Sequence, residues 1–283
     1  MNQGWINNYL AARQYIINNN SNFILQEECR VTDLIIDRLA SRYREIKNDF
    51  DNAYRTKEYW ELYAPIQRGH KPRGEAYPWG EVGEKVLEGH LYSSLNEIFE
   101  RVKFPGIPYG HDIRFSTENS FVHIDIKSTG PTDNPNGVVS SPNQVTGNGM
   151  ISEAGMVYNN EVDMRGARIT RKFRPELAPF YLINNQIIPV LTFYIKVVYD
   201  VISPGNQPLK YIELICVPNG MPLFVAPNFN YLYPGILTPG KDEVGVDRKR
   251  TRIKLNPLAK IGSWRCQKIY INEYGEVAVS SRS

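Results

Sequence analysis

Cysteine is scarce in this 283-residue chain, which contains three, at Cys29, Cys216 and Cys266. An odd number of widely separated cysteines argues against a disulfide framework and against the paired spacing of a zinc site. We therefore expect buried thiols at these positions, with no role in chemistry.

Long apolar runs are also missing. The longest is interrupted by Pro189, Lys196 and Asp200, and none approaches the length of a membrane span. Residues 1–5 (MNQGW) lack the basic start and apolar core of a signal peptide. The hydrophobic content of 42% and charged content of 22% are typical of a soluble globular protein. We expect a cytoplasmic protein that does not associate with membranes.

The chain has only a small excess of positive charge, with a formal net charge of +3. A value this low does not by itself indicate a nucleic-acid-binding protein. The distribution is more informative, because residues 241–260 carry seven basic side chains against three acidic ones. A local basic patch is the usual electrostatic footprint of phosphate binding.

Periodicity predicts the main elements. Apolar residues recur at helical spacing in three segments, 5–20, 24–50 and 79–102. Runs rich in β-branched and aromatic residues predict core strands at 187–199 and 211–217, and a closing hairpin at 268–279. The polar stretch 132–174 shows no clear period, and a stretch of this length is usually functional or disordered.

The most informative stretch is FVHIDIK at residues 121–127, which alternates apolar and polar side chains. In a β-strand the apolar side chains would face one way and His123, Asp125 and Lys127 the other. Residues two apart on one face lie about 6.5–7 Å apart, from a rise of about 3.3 Å per residue, so Asp125 and Lys127 can reach one phosphate. Two solvated charges on the outer face of a sheet would show the same pattern.

Asp112 lies thirteen residues before Asp125, at the start of another strand-like segment, 111–116. Residues 117–119 (TEN) predict a turn, so the two segments would form a hairpin with Asp112 level with Asp125. Two carboxylates facing a lysine form an oxygen site that suits Mg²⁺, because this ion keeps several waters and takes one or two carboxylates.

This arrangement resembles the active-site motif of the PD-(D/E)XK nucleases, with His111-Asp112 in place of Pro-Asp and Asp125-Ile126-Lys127 after it. The missing proline would supply no metal ligand. The chain further resembles the BglI family of type II restriction endonucleases in five blocks, which occur in the same order over about residues 60–260. They are PWGEVGEK at 78–85, DIKSTGP at 125–131, SPNQVTGNG at 141–149, VPNG at 217–220 and PGKD at 239–242. The colinear set is much more specific than the D-x-K motif alone.

The resemblance implies an α/β fold with a restriction-endonuclease-like core, in which a mixed β-sheet lies between helices and carries DNA-recognition loops and a β-ribbon. We accordingly expect a single domain over residues 1–283. Its expected segments are N-terminal helices and a loop (1–75), a catalytic helix and hairpin (76–130), core strands with recognition elements (131–260) and a C-terminal hairpin (261–283).

The resemblance also implies the catalytic residues. Asp112, Asp125 and the carbonyl oxygen of Ile126 would hold Mg²⁺, and Lys127 would orient or deprotonate the attacking water. Glu84 matches a glutamate that helps to line the active site in the family. It lies on or beside the apolar stripe of its predicted helix, where a carboxylate needs a partner. A glutamate on the helix surface is the alternative.

The DNA-binding positions that the resemblance indicates are Asp133, Asn143, Gln144, Lys241, Glu243, Arg250 and Arg252. Asn and Gln can pair with adenine, Asp with the amino group of cytosine, and Arg with guanine. Residues 248–254 alternate so that four cations share one face, which requires water or phosphates around them. Glu243 replaces an aspartate of the family pattern, which leaves the recognised sequence open. A solvated basic edge strand is the alternative.

Together these features predict a type II restriction endonuclease that cleaves double-stranded DNA at a specific symmetric site. The family implies a site whose halves are separated by unspecified bases. One active site cuts one strand, so a twofold homodimer is expected, together with a DNA methyltransferase that protects the host. Two alternatives remain, a structure-selective DNA repair nuclease and a sequence-specific DNA-binding protein whose carboxylates only pair with basic residues.

Overall fold

The structure is a computed structural model, and it describes residues 3–53, 79–104, 111–165, 170–202, 206–225, 235–240 and 250–282. The helices in these residues are α1 Gln3–Asn18, α2 Asn22–Ser41, α3 Tyr43–Asp51, α4 Trp79–Ile98, α5 Gly220–Phe224 and α6 Leu255–Ile261. The strands are β1 Ile113–Ser116, β2 Phe121–Thr129, β3 Gly137–Ser140, β4 Met150–Ile151, β5 Val157–Tyr158, β6 Val162–Arg165, β7 Thr170–Phe173, β8 Phe180–Ile183, β9 Gln186–Tyr199, β10 Leu209–Val217, β11 Leu237–Pro239, β12 Thr251–Lys254, β13 Cys266–Ile271 and β14 Val277–Ser281. Two short 3-10 helices span Pro142–Gln144 and Ser263–Arg265.

The main sheet has seven strands in the order β1-β2-β9-β10-β13-β14, with β8 also paired to β9. Strands β2 and β9 run parallel and the other neighbours run antiparallel, so the sheet is mixed. The predicted core strands are therefore central, and the predicted closing hairpin is the β13–β14 edge. The α/β fold with a mixed sheet is confirmed.

The two faces of the sheet contribute to two hydrophobic cores, because successive side chains of a strand point in opposite directions. Ile195 of β9 and Leu214 of β10 belong to the core shared with α1 to α4. Their neighbours Tyr194 and Ile215 belong to a second core shared with β12 and α6. Covering on both faces explains why β9 and β10 are apolar almost throughout.

The predicted helix over residues 24–50 is in fact two helices, so this prediction is wrong in its bounds. The break is at Arg42, with φ −103° and ψ 4°. The Arg42 guanidinium donates to the Glu45 carboxylate at 2.8 and 2.9 Å and to the hydroxyl of Ser94 in α4 at 3.1 Å. Tyr43 is buried next to the break and donates to the Lys210 carbonyl at 3.1 Å. At the break, Arg42 therefore contacts helix α4 and Tyr43 contacts strand β10 of the sheet.

The polar stretch 132–174 is not structureless where it is described. Its described residues include strands β3 to β7. Residues 166–169 lie outside the described part. Strand β3 joins β12 and β11 in a three-stranded antiparallel sheet, so β12 is the central strand and not an edge. These strands are too short to show a period in the sequence.

The cysteines are all free thiols, and Cys216 and Cys266 are buried as expected, whereas Cys29 is half-buried. Among the helices of the described ranges, none combines the length and the apolar character needed to cross a membrane.

Candidate active site

Asp112 lies beside strand β2, which carries the D-x-K motif. Ile113 of β1 pairs with Ile124 of β2, so the preceding residue, Asp112, lies level with Asp125, as the sequence predicted. Asp112 Oδ2 accepts a hydrogen bond of 2.7 Å from the backbone N–H of Ile126. The hairpin therefore places the two aspartates on adjacent strands, with the backbone of Ile126 beside them.

Asp125 is buried, with 2% of its surface exposed. Its Oδ1 accepts a hydrogen bond of 2.6 Å from Gln144 Nε2. Its Oδ2 forms an ion pair with the Lys127 ammonium. Burial raises the pKa of the Asp125 carboxyl to about 7, and the charge of Lys127 opposes this rise. The Lys127 side chain is 37% exposed, so this residue contacts both the carboxylate and the solvent.

Glu84 comes to the same place from helix α4. Burial raises the pKa of its carboxyl, Lys127 lowers it, and the negative charge of Asp112 raises it further. The backbone N–H of Ser128 also donates to this carboxylate. Glu84 thus interacts with residues of β2 and is not an isolated helix-surface glutamate.

The residues fit a divalent cation in their charge and donor chemistry. The carboxylates of Glu84, Asp112 and Asp125 interact electrostatically with one another. Two ammonium groups oppose their charge: Lys127 acts on Glu84 and Asp125, and Lys85 acts on Glu84 and Asp112. The buried Oδ2 of Asp125 faces the Lys127 ammonium and has no other hydrogen-bond donor among the described residues. An excess of carboxylate oxygens over cationic groups is the donor set that Mg²⁺ and similar hard cations use.

The ligand oxygens of Glu84, Asp112 and Asp125 do not all lie within 4.8 Å of one another. Within the described residues, the three-ligand group whose atoms all lie within 4.8 Å of one another is a different one, Glu45, Asp49 and His90. In that group Glu45 is bound to Arg42, and His90 Nε2 lies 2.9 Å from Asp49 Oδ2. We therefore assign the candidate cation site to a pair of carboxylates, Asp112 and Asp125, beside Ile126.

The turn that follows β2 carries Asp133, an exposed residue. Its Oδ2 accepts a hydrogen bond of 2.9 Å from the backbone N–H of Gly130. Asn143 is half-buried, and its side chain makes no hydrogen bond to the described part of the protein. Gln144 differs from both, because it is buried with its amide directed at Asp125. A base contact by Gln144 would require these internal bonds to break.

Strand β12 carries Arg252, which is half-buried, between Thr251 and Ile253, which are fully buried. The alternation predicted for residues 248–254 is therefore confirmed over Thr251–Lys254, while residues 248 and 249 lie outside the described residues. Arg250 precedes the strand, and its carbonyl accepts a hydrogen bond of 2.9 Å from the N–H of Gly240. The other two recognition residues, Lys241 and Glu243, lie outside the described residues.

The small sheet connects these recognition positions to the catalytic strand. Strand β3 begins four residues after Asp133 and pairs with β12, where Val139 lies opposite Arg252. It ends at Ser140, one residue short of the 3-10 helix Pro142–Gln144 that carries Asn143 and Gln144. A single segment thus leads from β2 past the recognition turn and back to Asp125.

Comparison with known proteins gives a consistent result. Residues 5–269 match the family model described as restriction endonuclease BglI. The type II restriction enzyme BglI of Bacillus subtilis is 32% identical over 280 residues, which cover 90% of this chain and 93% of the relative. The chain belongs to the BglI restriction endonuclease family. A crystal structure of BglI bound to its DNA recognition sequence superposes with a TM-score of 0.80 at 30% identity, covering 94% of this chain and 96% of that one.

A second solved structure shows a likeness to this BglI-family chain in fold alone. The tetrameric restriction endonuclease SfiI, in a crystal structure with cognate DNA, superposes with a TM-score of 0.63 at 13% identity. This match covers 93% of the chain and 95% of SfiI. The BglI-family assignment confirms the resemblance that the colinear sequence blocks indicated.

Two buried histidines of the BglI-family site were not predicted as functional. His111 replaces the proline of the PD motif, and its Nδ1 lies 3.2 Å from Nδ1 of His123. Burial lowers the pKa of His123 to about 3 and lowers that of His111 well below its ordinary value. Both rings are therefore neutral at physiological pH, so one Nδ1 donates and the other accepts. His111 directly precedes Asp112, and its unusual place in the motif is the only signal in the sequence.

A second group of residues, which the sequence analysis did not predict, stabilises the turn after β2. Lys196 of β9 donates to the Pro135 carbonyl at 2.8 Å. Arg282 donates to the Asn136 side chain at 2.8 Å and forms an ion pair with the buried Glu213. No local pattern could reveal this group, because its members come from β9, β10 and the segment after β14.

Proposed function

We propose that this chain is a type II restriction endonuclease that uses Mg²⁺ to cleave both strands of duplex DNA at a specific symmetric site, leaving 5′-phosphate and 3′-hydroxyl ends. The observation that carries the proposal is the bond from the Ile126 N–H to Asp112 Oδ2. It sets one carboxylate over the strand that carries the second, Asp125, and Lys127. Membership of the BglI family supports the same reaction.

The proposed cation ligands are Asp112, Asp125 and the Ile126 carbonyl. Bound there, Mg²⁺ would polarise the scissile phosphate, acidify a bound water and stabilise the leaving 3′ oxygen. Asp112 and Asp125 are supported in this role by their adjacent positions and by the buried Asp125 Oδ2, whose partner among the described residues is the Lys127 ammonium.

The other two catalytic residues act on water and on charge. Lys127 would orient or deprotonate the attacking water and offset negative charge on the phosphorane. Its ion pair with Asp125 and the partial exposure of its side chain support this role. Glu84 would hold a second ion or order the water shell, which its electrostatic coupling to Asp112 and Lys127 supports.

For recognition, we propose that Asp133, Asn143 and Arg252 approach the bases from the connected turn and ribbon, together with Arg250, Lys241 and Glu243. A symmetric site implies a homodimer in which each subunit reads one half-site. The crystal structure of BglI holds its DNA recognition sequence, which supports a DNA substrate for this chain. A host with this site in its genome would need a DNA methyltransferase of the same specificity. A cytoplasmic location would be consistent with this role.

The test is cleavage of linear phage DNA of known sequence by the wild-type protein and by Asp125→Asn. We expect discrete fragments with Mg²⁺ from the wild type, and sequenced fragment ends would give the site and the cut position. Asp125→Asn should abolish cleavage while retaining cognate binding in Ca²⁺. An unchanged cleavage rate in Asp125→Asn would refute the catalytic assignment.

The same experiment separates the alternatives. A repair nuclease would leave plain linear duplex intact and cut branched or mismatched DNA. A sequence-specific DNA-binding protein would bind one sequence and cut none of these substrates.

A further inference from the structure

Gln144 uses both ends of its side-chain amide inside the protein. Its Nε2 donates to Asp125 Oδ1 at 2.6 Å, and its Oε1 accepts from the Ser141 N–H at 3.0 Å. The second bond is half of a capping box that closes the 3-10 helix Pro142–Gln144. Only 8% of the Gln144 surface is exposed. Rotation of the amide would leave buried polar atoms without partners, which is costly.

These bonds fix the orientation of a proposed metal ligand. A carboxylate oxygen that accepts from a buried amide is engaged by a charge-assisted bond. Since Oδ1 of Asp125 is engaged by Gln144, the oxygen left to meet Lys127 and an ion is Oδ2. Groups that orient a metal ligand in this way affect metal affinity although they do not touch the metal.

We propose that Gln144 is a positioning residue that holds Asp125 in its metal-binding orientation, and that it is not a base-reading residue. This inference rests on the proposed nuclease function. Asn143, a proposed base-reading residue, directly precedes Gln144 in the same 3-10 helix.

Two variants separate positioning from folding. Gln144→Met removes the donor and the acceptor with little change in side-chain length. Gln144→Glu keeps an acceptor for the Ser141 N–H and loses the donor to Asp125. Gln267→Met is the matched control, because Gln267 is a half-buried glutamine of β13 that also donates one hydrogen bond, to the Trp264 carbonyl at 3.1 Å.

Three quantities are measured for each variant: Mn²⁺ binding to the protein by electron paramagnetic resonance, the Mg²⁺ concentration at half-maximal cleavage, and the ratio of cognate to nonspecific DNA affinity in Ca²⁺. For Gln144→Met and Gln144→Glu we expect Mn²⁺ binding to weaken about 10- to 100-fold, the usual loss when a residue that orients a metal ligand is replaced. The half-maximal Mg²⁺ concentration should rise in parallel, with the affinity ratio unchanged. Gln267→Met should match the wild type in all three.

A fall in the affinity ratio with unchanged Mn²⁺ binding would make Gln144 a base reader and overturn the inference. Wild-type values for all three quantities in both variants would also overturn it. If Gln144→Met does not fold, Gln144→Glu decides alone, since it keeps the capping bond. The wild type and Asp125→Asn distinguish the two proposals. A wild type that does not cut linear duplex DNA refutes the proposed function, and an Asp125→Asn variant that cuts like the wild type refutes the catalytic assignment of Asp125. An inactive Asp125→Asn beside wild-type-like Gln144 variants refutes only the positioning role.

Discussion

Gly83 of α4 packs directly against Ser128 of β2, so closely that a Cβ atom at Gly83 would lie 2.7 Å from Ser128 Oγ. The same Cβ would lie 3.2 Å from the Phe50 ring and 3.3 Å from Val197. This close approach brings the next residue, Glu84, to the backbone N–H of Ser128 and to the charges of Lys127 and Asp112.

Gly83→Ala is therefore expected to move α4 away from β2 and to displace Glu84. Overpacking of this kind costs about 1–3 kcal/mol of stability. We expect the cleavage rate at saturating Mg²⁺ to fall by more than the loss of folded protein explains, as measured by cleavage kinetics and urea unfolding on the same samples. Gly89→Ala is the matched control, because a Cβ at Gly89 meets nothing within 4 Å. It should retain activity and gain about 0.5–1 kcal/mol. Equal activity of the two variants would contradict this role for Gly83.

Arg252→Ala should weaken cognate DNA binding by about 1–3 kcal/mol more than nonspecific binding, because a bidentate arginine discriminates between bases. The measurement is binding to cognate and scrambled duplexes in Ca²⁺. Lys254→Ala is the comparison, since Lys254 is two residues along the same strand and is exposed. If Arg252→Ala weakens binding to both duplexes equally, Arg252 contacts phosphate only.

Lys196 gives a prediction for pH. Burial lowers the pKa of its ammonium from 10.5 to about 8, and Glu213 opposes this shift. Between these values the unfolded chain binds more protons than the folded chain, so this lysine adds stability as the pH rises. Relative to Lys196→Met, the wild type should gain about 2 kcal/mol between pH 7 and pH 9.5 in urea unfolding. A pH-independent difference would show that the lysine titrates normally.

Glu28 and Arg265 form a buried ion pair of 2.6 Å between α2 and the 3-10 helix Ser263–Arg265, with 0% and 1% of their side chains exposed. Arg265→Met leaves the Glu28 carboxylate buried without its cation, which should cost about 3–5 kcal/mol. The double variant Glu28→Leu with Arg265→Met should recover much of this loss, because no unpaired charge remains. Urea unfolding of both variants tests this, and additive losses would contradict it.

Local pattern accounts for much of the site. The period-two alternation located β2, and the turn at residues 117–119 gave the hairpin that sets Asp112 level with Asp125. The helical spacing in residues 79–102 found the helix of Glu84, although it ends at Ile98. The alternation of the basic ribbon was likewise correct for β12. Each of these features depends on residues that are close in the chain.

What the sequence by itself determined is the family, the fold class and the proposed catalytic set, because motif spacing and strand or helix period are local properties. Only the tertiary structure decided that Gln144 turns inward to Asp125, that His111 meets His123 and that Lys196 and Arg282 hold the turn of Asp133. The physical reason is that β2 pairs with β9 and β3 with β12. These long-range pairings decide which polar side chains become buried, and a buried side chain must take its hydrogen-bond partner from whichever strand lies beside it.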